Sequence, residues 1–192
     1  RREIRITSAL QHPNIIQFFD AGRYVEKDLI YLVTEFFDGA DLERRFLGRP
    51  APIQTVLQIG IQVCSALAAA HAQGIVHREI APVHVLMSNE GRVKVVDFGV
   101  AKAYEESVDK TLTDPLELLG NPPFMAPEQT WAPDRITARA DLYGVGALLW
   151  FCLTGQPPYD GDSAMEIVQK IGSPVSPLER FRSDVPDALA LL

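Results

Sequence analysis

The stretch from Val76 to Gly99 constrains the fold more than any other part of the chain. Two short apolar runs, Val85-Leu86-Met87 and Arg92 to Val96, flank Asn89-Glu90-Gly91, whose composition favours a tight turn, so a small hairpin is expected. Polar and charged residues bracket it, with His77-Arg78-Glu79 before the first run and Asp97 just after the second. Loops at strand ends are where a rigid scaffold presents reactive side chains.

Helical periodicity frames this hairpin. From Ile53 to Gln73 the apolar positions 53, 56, 57, 60, 63, 64, 67 and 68 recur at helical spacing, with Gly74 placed as a cap, and predict a core helix. His71 at its end reads as a structural hydrogen-bonding histidine. Asp141 opens a run reaching Gly155 that is otherwise almost wholly apolar, and a carboxylate at the head of a buried helix needs partners. Ala164 to Ile171 reads as another helix, and Asp41-Leu42-Glu43 opens a short one. Near the start, residues 3 to 11 read as a helix end stopped before Pro13, followed by strands over Ile15 to Asp20 and Leu29 to Phe36.

A hydrophobic content of 47% over 192 residues suits one globular unit. A formal net charge of -7 argues against a nucleic-acid binder, whose affinity rests on basic phosphate contacts. Cys64 and Cys152 fall in apolar helical patterns and are expected to be buried free thiols. The stretch Gly144 to Leu153 is too short and glycine-rich to span a membrane, and no apolar signal core follows the first residues. The expectation is a cytoplasmic location and no membrane contact within this segment.

Three motifs carry a family resemblance. The runs His77-Arg78-Glu79-Ile80-Ala81-Pro82-Val83-His84-Val85-Leu86, Lys94-Val95-Val96-Asp97-Phe98-Gly99 and Gly120-Asn121-Pro122-Pro123-Phe124-Met125-Ala126-Pro127-Glu128 resemble the catalytic loop, metal-binding turn and activation-segment end of eukaryotic-like serine/threonine protein kinases. The resemblance implies an α+β protein-kinase-like fold, with residues 1–36 a partial small lobe and residues 37–192 a helical large lobe incomplete at its C-terminus. It also implies ATP and Mg as cofactors and a protein substrate or partner. Carried over residue by residue, Glu79 stands at the catalytic base, Arg78 beside it, Asp97 at one metal position and His84 at the other. Glu3 matches the glutamate that pairs with a small-lobe lysine. Thr34 matches the gatekeeper, Glu35 and Phe37 the adenine-receiving hinge, and Leu86 a cofactor contact. His77, Glu128 and Asp141 match structural positions, Asp141 as the anchor of the catalytic-loop backbone. Thr111 and Thr113 are candidate phosphorylation sites able to pair with Arg78. Plainer readings stay open: Thr34 as an ordinary strand residue, the two threonines as turn residues.

The family's loop reads His-Arg-Asp-x-x-x-x-Asn, and this chain departs from it. Glu79 sets the carboxylate one methylene further out, and a misplacement of roughly 1 Å can cost on the order of 100-fold in rate. His84 offers nitrogen where magnesium prefers oxygen. Ala81 replaces a lysine and Asn121 a threonine. Together these substitutions predict a pseudokinase whose reaction is lost or weak and which acts through protein partners. The alternatives are an active divergent kinase and a non-catalytic scaffold fragment.

Overall fold

The computed structural model describes residues 10–24, 29–98, 120–132, 135–186 and 189. Glu3, Thr111, Thr113 and most of the helix expected over residues 3 to 11 lie outside them.

Strands β1 (Phe18–Tyr24) and β2 (Leu29–Thr34) pair antiparallel, with an irregularity between Phe18 and Asp20. The first strand therefore starts later than expected. Residues 14–16 are drawn instead to a distant partner: Val95 N–H donates to Asn14 O at 2.8 Å and Ile16 N–H to Val95 O at 2.9 Å, a short parallel bridge. The second sheet runs in the order β3 (Ala40–Asp41), β4 (Val85–Met87), β5 (Val93–Val95), all antiparallel. The β4–β5 hairpin turns through Asn89 and Glu90, as their composition predicts.

Helix α1 (Leu42–Phe46) begins where Asp41 accepts the Arg44 N–H. Helix α2 (Ile53–His71) packs on β5 and on the later central helix, and Val56, Ile59, Val63 and Leu67 are fully buried. Each such side chain stabilises the fold by about 1.5–3 kcal/mol. Leu57, Cys64 and Ala68, expected in the core, instead share the outward face with Ile61, and Cys64 is exposed. The helix is apolar on nearly every side, so its period alone could not choose which edge faces the core. By length and composition α2 is also apolar enough to cross a membrane, although its inner face is buried here. Cys152 is buried as expected, and burial pushes its thiol up to about 12.

After the short α3 (Pro127–Trp131), helix α4 (Ala138–Thr154) is buried along most of its length. It begins at Ala138, three residues before Asp141, because the Thr137 side chain caps it by accepting the Arg139 N–H. Helix α5 (Ala164–Lys170) follows, capped by Ser163. Arg182 then fastens the tail, donating to the Ala51 and Leu153 carbonyls and forming a two-pronged pair with Asp184. The architecture is an α+β protein-kinase-like fold, with a helical lobe and a small β-sheet lobe.

Candidate active site

Asp141 lies one turn into α4 and is only 1% exposed. Its Oδ2 accepts the His77 N–H at 2.9 Å and its Oδ1 the Arg78 N–H at 2.7 Å. His71, closing α2, reaches Oδ2 at 2.7 Å through Nε2, which must carry the proton because a carboxylate only accepts. A central helix and a core helix thus grip the loop before the hairpin from within. This is the partnering that a carboxylate in an apolar helix requires.

The next peptides are held by side chains as well. Buried His77 donates from Nε2 to Val96 O at 2.8 Å and accepts the Glu79 N–H at Nδ1, 3.2 Å away. Only the neutral ring can make both bonds, and burial lowers its pKa accordingly. The ring also meets Phe98 edge-on, centroids 4.6 Å apart. His84, in the 3-10 turn Pro82–His84, donates from Nδ1 to Glu79 O at 2.7 Å. Gln129 on α3 donates from Nε2 to Arg78 O at 2.6 Å. Arg78 and Asp97 are the non-glycine residues with left-handed backbone among those described, at φ 71° and 62°. Such conformations cost about 1–3 kcal/mol and persist where surrounding bonds enforce them, most often at functional sites.

Glu79 lies against the end of the segment that precedes α3. A Cβ built on Gly120, whose φ is +72°, would stand 3.2 Å from Glu79 Oε1. Asn121 follows at the start of the 3-10 turn Pro122–Phe124, its carbonyl accepting the Phe124 N–H. Ala81 is fully buried. Glu128, on α3, is half-buried, and its charge helps raise the Tyr143 phenol, after burial and the Tyr159 hydrogen bond.

Asp97, exposed, shares a small apolar cleft with Thr34, Phe18, Leu32, Ile16 and Phe98. The Thr34 hydroxyl donates to Glu35 O at 3.2 Å. Glu35 is heavily engaged: its N–H donates to Gln17 O, while its carboxylate accepts the Gln17 N–H at 2.7 Å and Lys94 Nζ at 2.6 Å. Burial alone would push Glu35 up, but the Lys94 hydrogen bond, the Gln17 N–H and the Lys94 charge outweigh it and hold the carboxyl below its ordinary value. Phe37 sits under the Arg92 guanidinium at 5.8 Å, and Leu86 pairs with Lys94 and Asp41 across the second sheet.

The donor chemistry for magnesium is uneven. Asp97 supplies the carboxylate oxygen such a hard ion takes. With Nδ1 of His84 committed as a donor, the lone pair left is a nitrogen, better suited to a transition metal. Among the described residues no three His, Cys, Asp or Glu side chains gather as a ready metal cluster.

Sequence reasoning missed Gln129 and the Lys94–Glu35 pair. Gln129 carried a signal, since it stands three residues after Ala126 with Pro127 between, the spacing of a capping residue at a helix start. Lys94 was visible only as a charge inside an apolar strand.

Comparison with known proteins shows similarity to serine/threonine protein kinases. The chain is 36% identical over 192 residues to the probable serine/threonine-protein kinase PknB of Lactococcus lactis, covering 98% of this chain and 30% of that protein. It is 35% identical over 185 residues to the serine/threonine-protein kinase PknB of Mycobacterium leprae, covering 94% and 29%. It is 36% identical over 191 residues to the serine/threonine-protein kinase PrkC of Bacillus subtilis, covering 98% and 28%. The chain thus spans under a third of the length of these curated relatives. All three are named as kinases, which overturns the expectation of a lost or weak reaction. These names give no support for the inactivity expected from Glu79, Ala81, His84 and Asn121, and the peptides on either side of Glu79 are held by His77, Gln129 and His84. The family model for the protein kinase domain matches residues 1–187, and the chain belongs to that family.

Proposed function

We propose that this chain is the catalytic part of a serine/threonine protein kinase that transfers the ATP γ-phosphoryl group to protein hydroxyls. The observation that carries the reading is the enforced Arg78–Glu79 turn, whose peptides are held by Asp141, His77, His84 and Gln129. A scaffold that holds left-handed backbone beside a carboxylate is built to aim that carboxylate.

In this reading Glu79 accepts the proton of the substrate hydroxyl as its oxygen bonds to the γ-phosphorus. The bond to the bridging oxygen breaks and ADP leaves. Asp97 would hold magnesium, which when bound neutralises charge on the phosphates. The hinge beside Glu35 and Phe37 would receive the adenine, and dependence on ATP favours a cytoplasmic setting. The protein substrate must bind beside Gly120 and α3, where the Glu79 carboxylate lies.

The test is transfer of radiolabelled γ-phosphate to a generic basic protein by the intact protein. Incorporation lost in Asp97→Ala and lowered about 100-fold or more in Glu79→Gln is expected. Incorporation that survives Asp97→Ala, or none at all from a folded protein that binds ATP, refutes the reading.

A further inference from the structure

We propose that Gln129 is a positioning residue, tying the helix that follows the activation segment to the turn that presents Glu79. Its catalytic consequence rests on the phosphoryl-transfer reading above, whereas its structural consequence does not.

One amide serves two elements. Gln129 Oε1 accepts the Ala126 N–H at 2.9 Å, which caps the start of α3. Its Nε2 donates to Arg78 O at 2.6 Å. The orientation of the amide is settled by these partners, because Ala126 N–H needs an acceptor and Arg78 O needs a donor. The Arg78 carbonyl belongs to the peptide whose N–H, that of Glu79, meets His77 Nδ1. The Gln129 bond therefore fixes the plane of the peptide leading directly into Glu79.

That peptide has reason to move if released. Arg78 sits at φ 71°, unfavourable for a side-chain-bearing residue, and its N–H is held from the core by Asp141. Asp141 grips one side of the strained residue and Gln129 the other. The two anchors differ in kind. Asp141 is buried in the central helix, whereas Gln129 rides on a helix of five residues just beyond Gly120, the glycine on which Glu79 rests. The seating of α3 is thereby transmitted to the aim of Glu79, through one side chain that contacts no substrate.

Two variants separate the tie from the cap. Gln129→Glu keeps an oxygen for Ala126 N–H but has no N–H to give Arg78 O, while Gln129→Ala loses both bonds. The measurements are site-resolved hydrogen exchange and steady-state phosphate transfer, both on the intact protein. In Gln129→Glu the Arg78 and Glu79 amides should exchange about tenfold faster, with α2 and α4 unchanged, since one hydrogen bond of ordinary strength is lost. The kcat should fall about tenfold or more, with KM for ATP within about twofold of the parent. Wild-type exchange at Arg78 and Glu79 in Gln129→Glu overturns the proposal. So does a Gln129→Glu enzyme of normal kcat beside an impaired Gln129→Ala, which would assign Gln129 to capping alone. If exchange quickens while the parent itself transfers no phosphate, the positioning role stands and the kinase reading falls.

Discussion

Replacing Asp141 by Asn tests whether the loop is held from the core. Three donors converge on this carboxylate: the His77 and Arg78 N–H groups and His71 Nε2. Asparagine keeps one oxygen, which can stay opposite Arg78 N–H, and its NH2 then takes the place of Oδ2. His71 can adapt by moving its proton to Nδ1 and accepting at Nε2. His77 N–H cannot adapt, because a backbone donor now faces another donor in a buried site. The loss is one hydrogen bond to a charged acceptor, about 1.5–3 kcal/mol, together with part of the penalty for a buried unsatisfied N–H, about 1–3 kcal/mol. We expect a net destabilisation of about 2–4 kcal/mol. For a domain of this size each kcal/mol lowers Tm by about 2–4 °C, so the midpoint should drop by about 4–16 °C. Differential scanning calorimetry of parent and variant measures it, and hydrogen exchange at His77 localises it. A drop below about 2 °C, or an unaltered exchange rate at His77, would show that the anchor contributes little and that the turn is held by its other bonds.

Gly144 faces Ile80 across the same contact, and a Cβ there would lie 2.9 Å from Ile80 Cβ and 3.2 Å from Ile80 O. Gly144→Ala should lose about 1–3 kcal/mol to overpacking, only partly offset by a helix-propensity gain of about 0.5–1 kcal/mol, and a net gain in urea unfolding would contradict that contact. His77 is held neutral with its pKa lowered by burial, so below about pH 6.5 the unfolded chain takes up a proton that the fold resists. Stability from this group is present above that pH and is lost as pH falls, and Tm measured from pH 7.5 to 5 should decline more steeply in the parent than in His77→Gln; equal slopes would count against it. For His84→Asn, an oxygen donor replaces a nitrogen, and calorimetry should find magnesium-dependent ATP affinity raised by at least about tenfold, the lower end of what one supporting contact at a metal site is worth. Unchanged affinity would mean that residue 84 serves only the Glu79 carbonyl.

Helices α1, α2, α4 and α5 and the β4–β5 hairpin were legible because their signals are local, such as periodicity over α2, the Asn89-Glu90-Gly91 turn, and an acid heading an apolar run at Asp141. The five-residue α3 gave no such periodicity and was not foreseen. The start of β1 was not, since residues 14–16 leave the local pairing for Val95, and no nearby residue announces that partner. The outward edge of α2 was misread for a related reason. Leu57, Cys64 and Ala68 are as apolar as their buried neighbours, and the positions of β5 and α4 decide between them. Within the site, motif spacing singled out Glu79, Asp97 and Asp141, and of these Asp141 bonds the loop backbone as the motif implies. Spacing could not reveal that His84 supports the backbone of Glu79, because that role depends on which ring nitrogen faces which carbonyl. The consequences first drawn from the substitutions treated each residue as an isolated reagent, whereas in the fold His84 is also a strut.

The parallel bridge at Ile15 bears on how the two sheets can move. Asn14 is bonded to Gln62 on α2 and to Val93 O, and His12 reaches Ser65, so the approach to β1 travels with the helical layer. Beyond it, the roots of the β1–β2 hairpin are clasped to each other, Gln17 to Glu35, and Lys94 latches that clasp to β5 through Glu35 and Ile15 O. The hairpin is therefore a door whose jamb belongs to the other room. A swing that stays beyond Gln17 leaves the latch shut, and a deeper one must draw the Lys94 bolt, exposing a paired lysine and glutamate together.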